Sequence, residues 1–99
     1  MEIDVKNILN NMEKYLSIPS PGAYTKEAVL ELKKDFEELG LSTKLTNKGA
    51  LIATLEGENA EKAVMLTAHI DTLGAMVKSI TNEGRLKYNK IGGGSWASI

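Results

Sequence analysis

The chain has 99 residues, of which 42% are hydrophobic and 25% are charged, and its formal net charge is −1. This length and composition are typical of one small globular domain rather than of a disordered chain. The balanced charge excludes the concentrated basic surface that binds nucleic acid or an anionic membrane. No apolar run approaches the roughly 18 residues that a membrane-spanning helix needs.

The sequence lacks both cysteine and a recognisable leader. Without cysteine there are no disulfides and no thiolate ligands, so any metal would need nitrogen and oxygen ligands. The first residues, MEIDVKN, contain neither a basic n-region nor an apolar h-region. We therefore expect a cytoplasmic protein.

Two amphipathic helices are predicted in the first 40 residues. Apolar residues recur at helical spacing over residues 5–17, after Asp4, whose carboxylate can cap the free amides of the first turn. The two prolines of SIPSPG end this helix, because they remove amide donors and disfavour helical geometry in the residues before them. Thr25 can cap the second helix, and Gly40 suits the left-handed residue that follows a helix end.

Beyond residue 40 the sequence pattern predicts strands. LSTKLT and ALIATLEG flank the turn NKG and indicate a hairpin, and LGAMVKSI and RLKYNKI flank the turn TNEG and indicate a second strand pair. Between the pairs, residues 63–68 (AVMLTA) are apolar on both faces apart from Thr67, which favours a central strand buried between two layers. The order of helices, hairpin, buried strand and strand pair indicates the α/β class.

The two helices are too few to cover both faces of a buried strand. The chain also ends on GGGSWASI, where Trp96 and Ile99 are apolar residues without an evident core. We therefore expect more protein to follow residue 99.

His69, the single histidine, directly follows the predicted buried strand, and Asp71 lies two residues on. Ligand sites of open α/β sheets gather at the carboxyl ends of strands, and residues two apart in extended backbone point to the same side. The pair suits a metal site, in which the carboxylate orients the imidazole, or a proton-transfer site, in which it fixes the tautomer. A packed histidine followed by a turn-forming aspartate is an equally open interpretation, because H-x-D is a short motif.

Other catalytic motifs are not found. The sequence contains no G-x-S-x-G nucleophile elbow and no G-x-x-x-x-G-K-[ST] phosphate loop. Glu37 and Glu38 lie in the second predicted helix, four residues after Lys33 and Lys34, and we expect them to form a solvated helix face.

The chain resembles the N-terminal part of the M42 family of glutamyl aminopeptidases in three stretches, LSIPSPGAYTKEAVLELKKDFEELG, TNKGALIATLEG and VMLTAHIDTLGAMVKSITNEGRLKYNKIGG. The resemblance implies a cytoplasmic, homo-oligomeric enzyme that uses two divalent metal ions, zinc or cobalt. It implies peptide substrates, from which an activated water releases the N-terminal residue. Neither nucleic acid nor a membrane is an expected partner.

The resemblance also assigns two site residues. It implies that His69 is a metal ligand and that Asp71 is a catalytic residue that orients this histidine and supports the site. The family often has glutamate after this aspartate, where this chain has Thr72. The family's other ligands and its general base match nothing here. Because a catalytic zinc takes about three protein ligands, we expect the 99 residues alone to be inactive.

The resemblance divides the chain into two parts. Residues 1–72 correspond to the N-terminal part of a catalytic α/β domain of the zinc-peptidase type, with a mixed sheet. Residues 73–99 correspond to the first strands of a β-rich insertion domain that serves oligomer contacts.

Two alternative functions stay open at this point. A related metal-dependent deacylase or dipeptidase would also place H-x-D at a strand end, and carboxylates beyond residue 99 would distinguish it. A small non-enzymatic α/β module that binds a partner through its strand edges would explain the short chain and the missing ligands.

Overall fold

A computed structural model describes residues 2–59 and 61–95. In this part of the chain two helices precede two antiparallel strand pairs, which confirms the α/β class and the order of these elements. The elements are α1 (Val5–Leu16), α2 (Lys26–Glu38), β1 (Ser42–Leu45), β2 (Leu51–Thr54), β3 (Gly74–Ile80) and β4 (Leu86–Ile91). Neither described helix has both the length and the apolar character of a membrane span. Trp96 and Ile99 lie outside the described residues.

Helix α1 begins as the sequence predicts. The Asp4 carboxylate accepts a hydrogen bond from the Asn7 amide at 3.0 Å. The helix ends at Ser17, whose N–H donates to the Glu13 carbonyl, and the Ile18 N–H donates to the Tyr15 carbonyl. No residue of α1 is buried, and the apolar residues of its stripe other than Tyr15 are 48–68% exposed.

Helix α2 packs on the first hairpin and carries Ala28 and Val29, which are buried. Gly40 has φ +80°, which confirms the predicted left-handed residue after the helix. The predicted cap at Thr25 is only partly right. Thr25 occupies the N-cap position, but its side chain makes no capping hydrogen bond, because its backbone is helical (φ −99°, ψ −4°) rather than extended.

Both predicted hairpins form. β1 pairs with β2 in an antiparallel register from Ser42↔Thr54 to Leu45↔Leu51. β3 pairs with β4 in the same sense, and its register shifts at a β-bulge between Val77, which faces Tyr88, and Ser79, which faces Lys87. Gly49 and Gly84 provide the positive φ that the two turns require.

The predicted buried strand over residues 63–68 is wrong for this structure. These residues form no strand, and Val64, Met65 and Leu66 are 84–92% exposed. A strand needs a neighbour for its amides and carbonyls, and the described residues place neither hairpin beside this segment. The segment is apolar, but its burial depends on neighbouring strands that the described residues do not supply.

The described residues build only a small core. Ala28 and Val29 are its buried apolar residues, and the radius of gyration is 18.0 Å. A compact domain of this length would have a radius of gyration of about 13 Å. The described part of the chain therefore has a core of modest size, as its length predicts, but it is less compact than a globular domain of this length.

Polar side chains join α1 to α2. The Lys14 ammonium lies 2.7 Å from both carboxylate oxygens of Asp35 and 2.8 Å from Glu31, and the Tyr15 hydroxyl donates to Asp35 at 2.5 Å. The contact with Lys14, followed by the hydrogen bond from Tyr15, holds the pKa of Asp35 below its usual range. Partial burial, followed by the hydrogen bond to Asp35, raises the pKa of Tyr15 to about 12.

The raised pKa of Tyr15 predicts a loss of stability at high pH. The protonated phenol is favoured in the folded state, so its contribution is fully present below about pH 10 and is lost as the pH rises towards 12. Over this window the free energy of unfolding of the wild type should fall by about 1 kcal/mol more than that of Tyr15→Phe, after discounting for solvent screening. Denaturant titrations at several pH values measure the difference. Tyr24→Phe, at a 64% exposed tyrosine, is the control. Parallel curves for the wild type and Tyr15→Phe would contradict this account.

Candidate metal centre

The structure brings His69 and Asp71 together. His69 Nδ1 lies 3.2 Å from Asp71 Oδ1, as the extended backbone predicts for residues two apart. The side chains are 86% and 55% exposed. The pair therefore lies at the surface of an irregular segment before β3, and not at the end of a buried strand.

The pair presents one imidazole nitrogen to solvent. When Nδ1 carries the proton, its N–H donates to the Asp71 carboxylate, and the lone pair of Nε2 is left available. Metal-binding histidines commonly show this arrangement, because the carboxylate fixes the tautomer and raises the basicity of the ring. The high exposure of the ring leaves Nε2 accessible to a ligand.

His69 is a single ligand in the described part of the chain. Among residues 2–59 and 61–95 no three histidine, aspartate or glutamate side chains come close enough to hold a metal ion. Since a catalytic zinc takes about three protein ligands, the described residues fit part of a metal site and do not complete one.

Glu37 and Glu38 are not part of this site. Glu37 accepts from Lys33 and from Thr43, and these hydrogen bonds, led by that of Lys33, lower its pKa. Glu38 lies 3.8 Å from Lys34. Both glutamates are exposed on α2, which confirms the predicted solvated face.

A loop that the sequence analysis treated only as a helix end lies against the H-x-D segment. The Thr72 amide donates to the Ser20 carbonyl at 2.7 Å, and Pro21 and Thr72 form an isolated parallel bridge. Ser20 is fully buried, and its hydroxyl has no hydrogen-bond partner among the described residues. Pro21 and Gly74 meet at this point in the structure. A proline and a glycine were the available sequence signal, but no local pattern indicates that these two residues meet.

Comparison with known proteins identifies the family. Residues 49–99, which include His69 and Asp71, match the family model of the M42 glutamyl aminopeptidases. The chain belongs to this family. Over 95 residues, 96% of its length, the M42 chain is 43% identical to "Putative aminopeptidase YhfE" of Bacillus subtilis (strain 168) and covers 28% of that protein. Over 93 residues, 93% of its length, it is 30% identical to a "Putative aminopeptidase" of Acetivibrio thermocellus and covers 26% of it. The M42 chain thus spans about a quarter of the length of these curated relatives.

Proposed function

We propose that this M42 chain forms the N-terminal part of a metal-dependent aminopeptidase that removes N-terminal residues from peptides. The carrying observation is the His69–Asp71 pair, with Nδ1 3.2 Å from Oδ1, inside the segment that matches the family model. The names of the two relatives support the same activity.

The pair has a defined part in this proposal. His69 would hold one of two divalent cations, zinc or cobalt, through Nε2, and Asp71 would keep Nδ1 protonated and the ring oriented. When bound, the cations supply Lewis-acid activation of a water and of the peptide carbonyl. The remaining ligands and the general base would come from residues outside this chain, since the described residues offer no further cluster.

Further features of the whole enzyme belong to the same proposal. We propose that residues 1–72 begin its catalytic domain, that residues 73–99 begin an insertion used in homo-oligomer contacts, and that the enzyme is cytoplasmic. The division falls just before Gly74, where the β3–β4 hairpin starts, and this boundary supports it.

Metal removal tests the proposal. The full-length protein, dialysed against a chelator, should lose hydrolysis of peptides with a free N-terminus and regain it when Co²⁺ or Zn²⁺ is added, because the cations activate the water. Peptide cleavage followed by mass spectrometry measures this, with N-acetylated peptides as the control substrate. Unchanged activity at zero bound metal would contradict the proposal. Cleavage of N-acyl amino acids or only of dipeptides would indicate the deacylase or dipeptidase alternative.

A further inference from the structure

The loop of residues 20–22, called here the 20–22 loop, is fastened to the chain directly after the H-x-D motif. The Ser20 carbonyl accepts from the Thr72 amide at 2.7 Å, and the parallel bridge joins Pro21 to Thr72. Ser20 is fully buried, so this attachment is made at one of the most enclosed points of the described structure.

Gly74, two residues after Thr72, also lies close to Pro21 of the 20–22 loop. A Cβ placed on Gly74 would lie 2.7 Å from Pro21 Cβ and 3.4 Å from Pro21 Cγ. These atoms belong to a ring fixed to the backbone, so they cannot rotate away as the end of a flexible side chain would. The absence of a side chain at Gly74 is therefore a condition for the approach of the two segments.

The attachment is the nearest fixed point to the site. Thr72 adjoins Asp71 and is three residues from His69, and residues 62–71 form no helix or strand. Among the described residues, the His69 and Asp71 side chains contact each other. Thr72 is therefore the nearest residue of the described chain whose backbone is hydrogen-bonded to another segment.

We propose that Pro21 and Gly74 are positioning residues, which hold the 20–22 loop against Thr72 and thereby set the orientation of His69 and Asp71 towards a metal ion. This inference rests on the proposed function, since it takes His69 to be a metal ligand. Neither residue contacts the metal. Their effect passes through Thr72 to Asp71.

Co²⁺ binding to the full-length protein provides the test, because the visible absorption of bound Co²⁺ reports on ligand geometry. Gly74→Ala should weaken Co²⁺ binding by about tenfold and change this absorption, as loss of supporting groups around a metal site does. Pro21→Gly, which removes the ring without creating a clash, should also weaken binding. The double variant Pro21→Gly/Gly74→Ala should resemble Pro21→Gly alone, because the clash is then absent.

Gly22→Ala is the matched control. It makes the same substitution in the 20–22 loop, but its added Cβ would lie 3.5 Å from Ile91 Cγ2, an ordinary contact. Its Co²⁺ affinity and spectrum should equal those of the wild type. Thermal unfolding of each variant separates the two roles, since a merely structural contact lowers the unfolding midpoint and leaves the spectrum of bound Co²⁺ unchanged.

Each outcome decides the inference. Wild-type Co²⁺ affinity and spectrum in Gly74→Ala would overturn it, while loss of Co²⁺ in His69→Ala would leave the proposed function intact. If Gly74→Ala does not fold, a wild-type affinity and spectrum in Pro21→Gly would overturn it equally. Equal Co²⁺ uptake by the wild type and His69→Ala would overturn both the inference and the proposed function.

Discussion

His69→Ala should remove about one bound metal ion per subunit and lower aminopeptidase activity by more than about 100-fold in the full-length enzyme. Loss of a group that only orients a metal ligand already costs about 10–100-fold, and alanine removes the ligand itself. In the described residues, no group of three or more histidine, aspartate and glutamate side chains could hold the ion in its place. Elemental analysis of the purified protein and peptide cleavage measure the two effects.

Asp71→Asn should have a smaller effect on metal binding than His69→Ala. Asparagine keeps the size of the side chain and an oxygen that can accept from Nδ1–H, but it removes the negative charge beside the ring. Metal affinity should fall by about 10–100-fold, less than in His69→Ala. Equal metal content in the wild type and His69→Ala would contradict the role of His69 as a metal ligand. An effect of Asp71→Asn as large as that of His69→Ala would instead make Asp71 a direct ligand.

Gly92→Ala should lower the free energy of unfolding by about 2 kcal/mol. Gly92 has φ +95°, where a residue with a Cβ is strained by about 1–3 kcal/mol. The added Cβ would also lie 2.7 Å from Leu73 Cδ2, so Leu73 would have to change its rotamer. Chemical denaturation of the full-length protein, followed by circular dichroism, measures the loss.

Alanine substitutions at two other glycines distinguish the cost of backbone strain at Gly92 from the cost of the contact with Leu73. Gly84 has φ +78° with open space around its Cβ position, and Gly93 has open space without a positive φ. Gly84→Ala should therefore cost the strain alone, and Gly93→Ala should cost little. If Gly84→Ala and Gly92→Ala reduce stability equally, the contact with Leu73 has no energetic weight.

Local signals predicted the elements of the fold well. Asp4 caps α1 through the amide three residues on, and Gly40 takes the left-handed conformation after α2. Both hairpins form around the turns NKG and TNEG. Such features are encoded within a few neighbouring residues, and no tertiary partner is needed to specify them.

Features that depend on distant partners were not predictable in the same way. Residues 63–68 are apolar enough for a buried strand, but burial needs flanking strands that the described chain does not provide. The contact of Tyr15 with Asp35 and the approach of Pro21 to Gly74 join residues at least 20 positions apart. No short-range pattern encodes these pairs.

The candidate site likewise has features that local sequence predicts and features that depend on distant residues. The proximity of His69 and Asp71 follows from two-residue spacing in extended backbone, and the structure places them as expected. Their support by the 20–22 loop could not be read from spacing, because the loop is some 50 positions away along the chain. No three potential metal ligands lie together in the described residues, so further ligands are assigned by neither the sequence nor the structure.

The β-bulge in β3 places hydrophobic side chains from both ends of the bulge on the same side of the β3–β4 ribbon. Residues opposed across an antiparallel pair project in the same direction, so Val77 with Tyr88 and Ile80 with Leu86 all project together. In a regular strand, residues three apart project oppositely, and Ile80 would be separated from Val77. One inserted residue, Lys78, absorbs the mismatch. The ribbon therefore carries four of its five large exposed hydrophobic side chains on a single side, with Met76 on the other. Any molecule that shields these four from water must approach from that side.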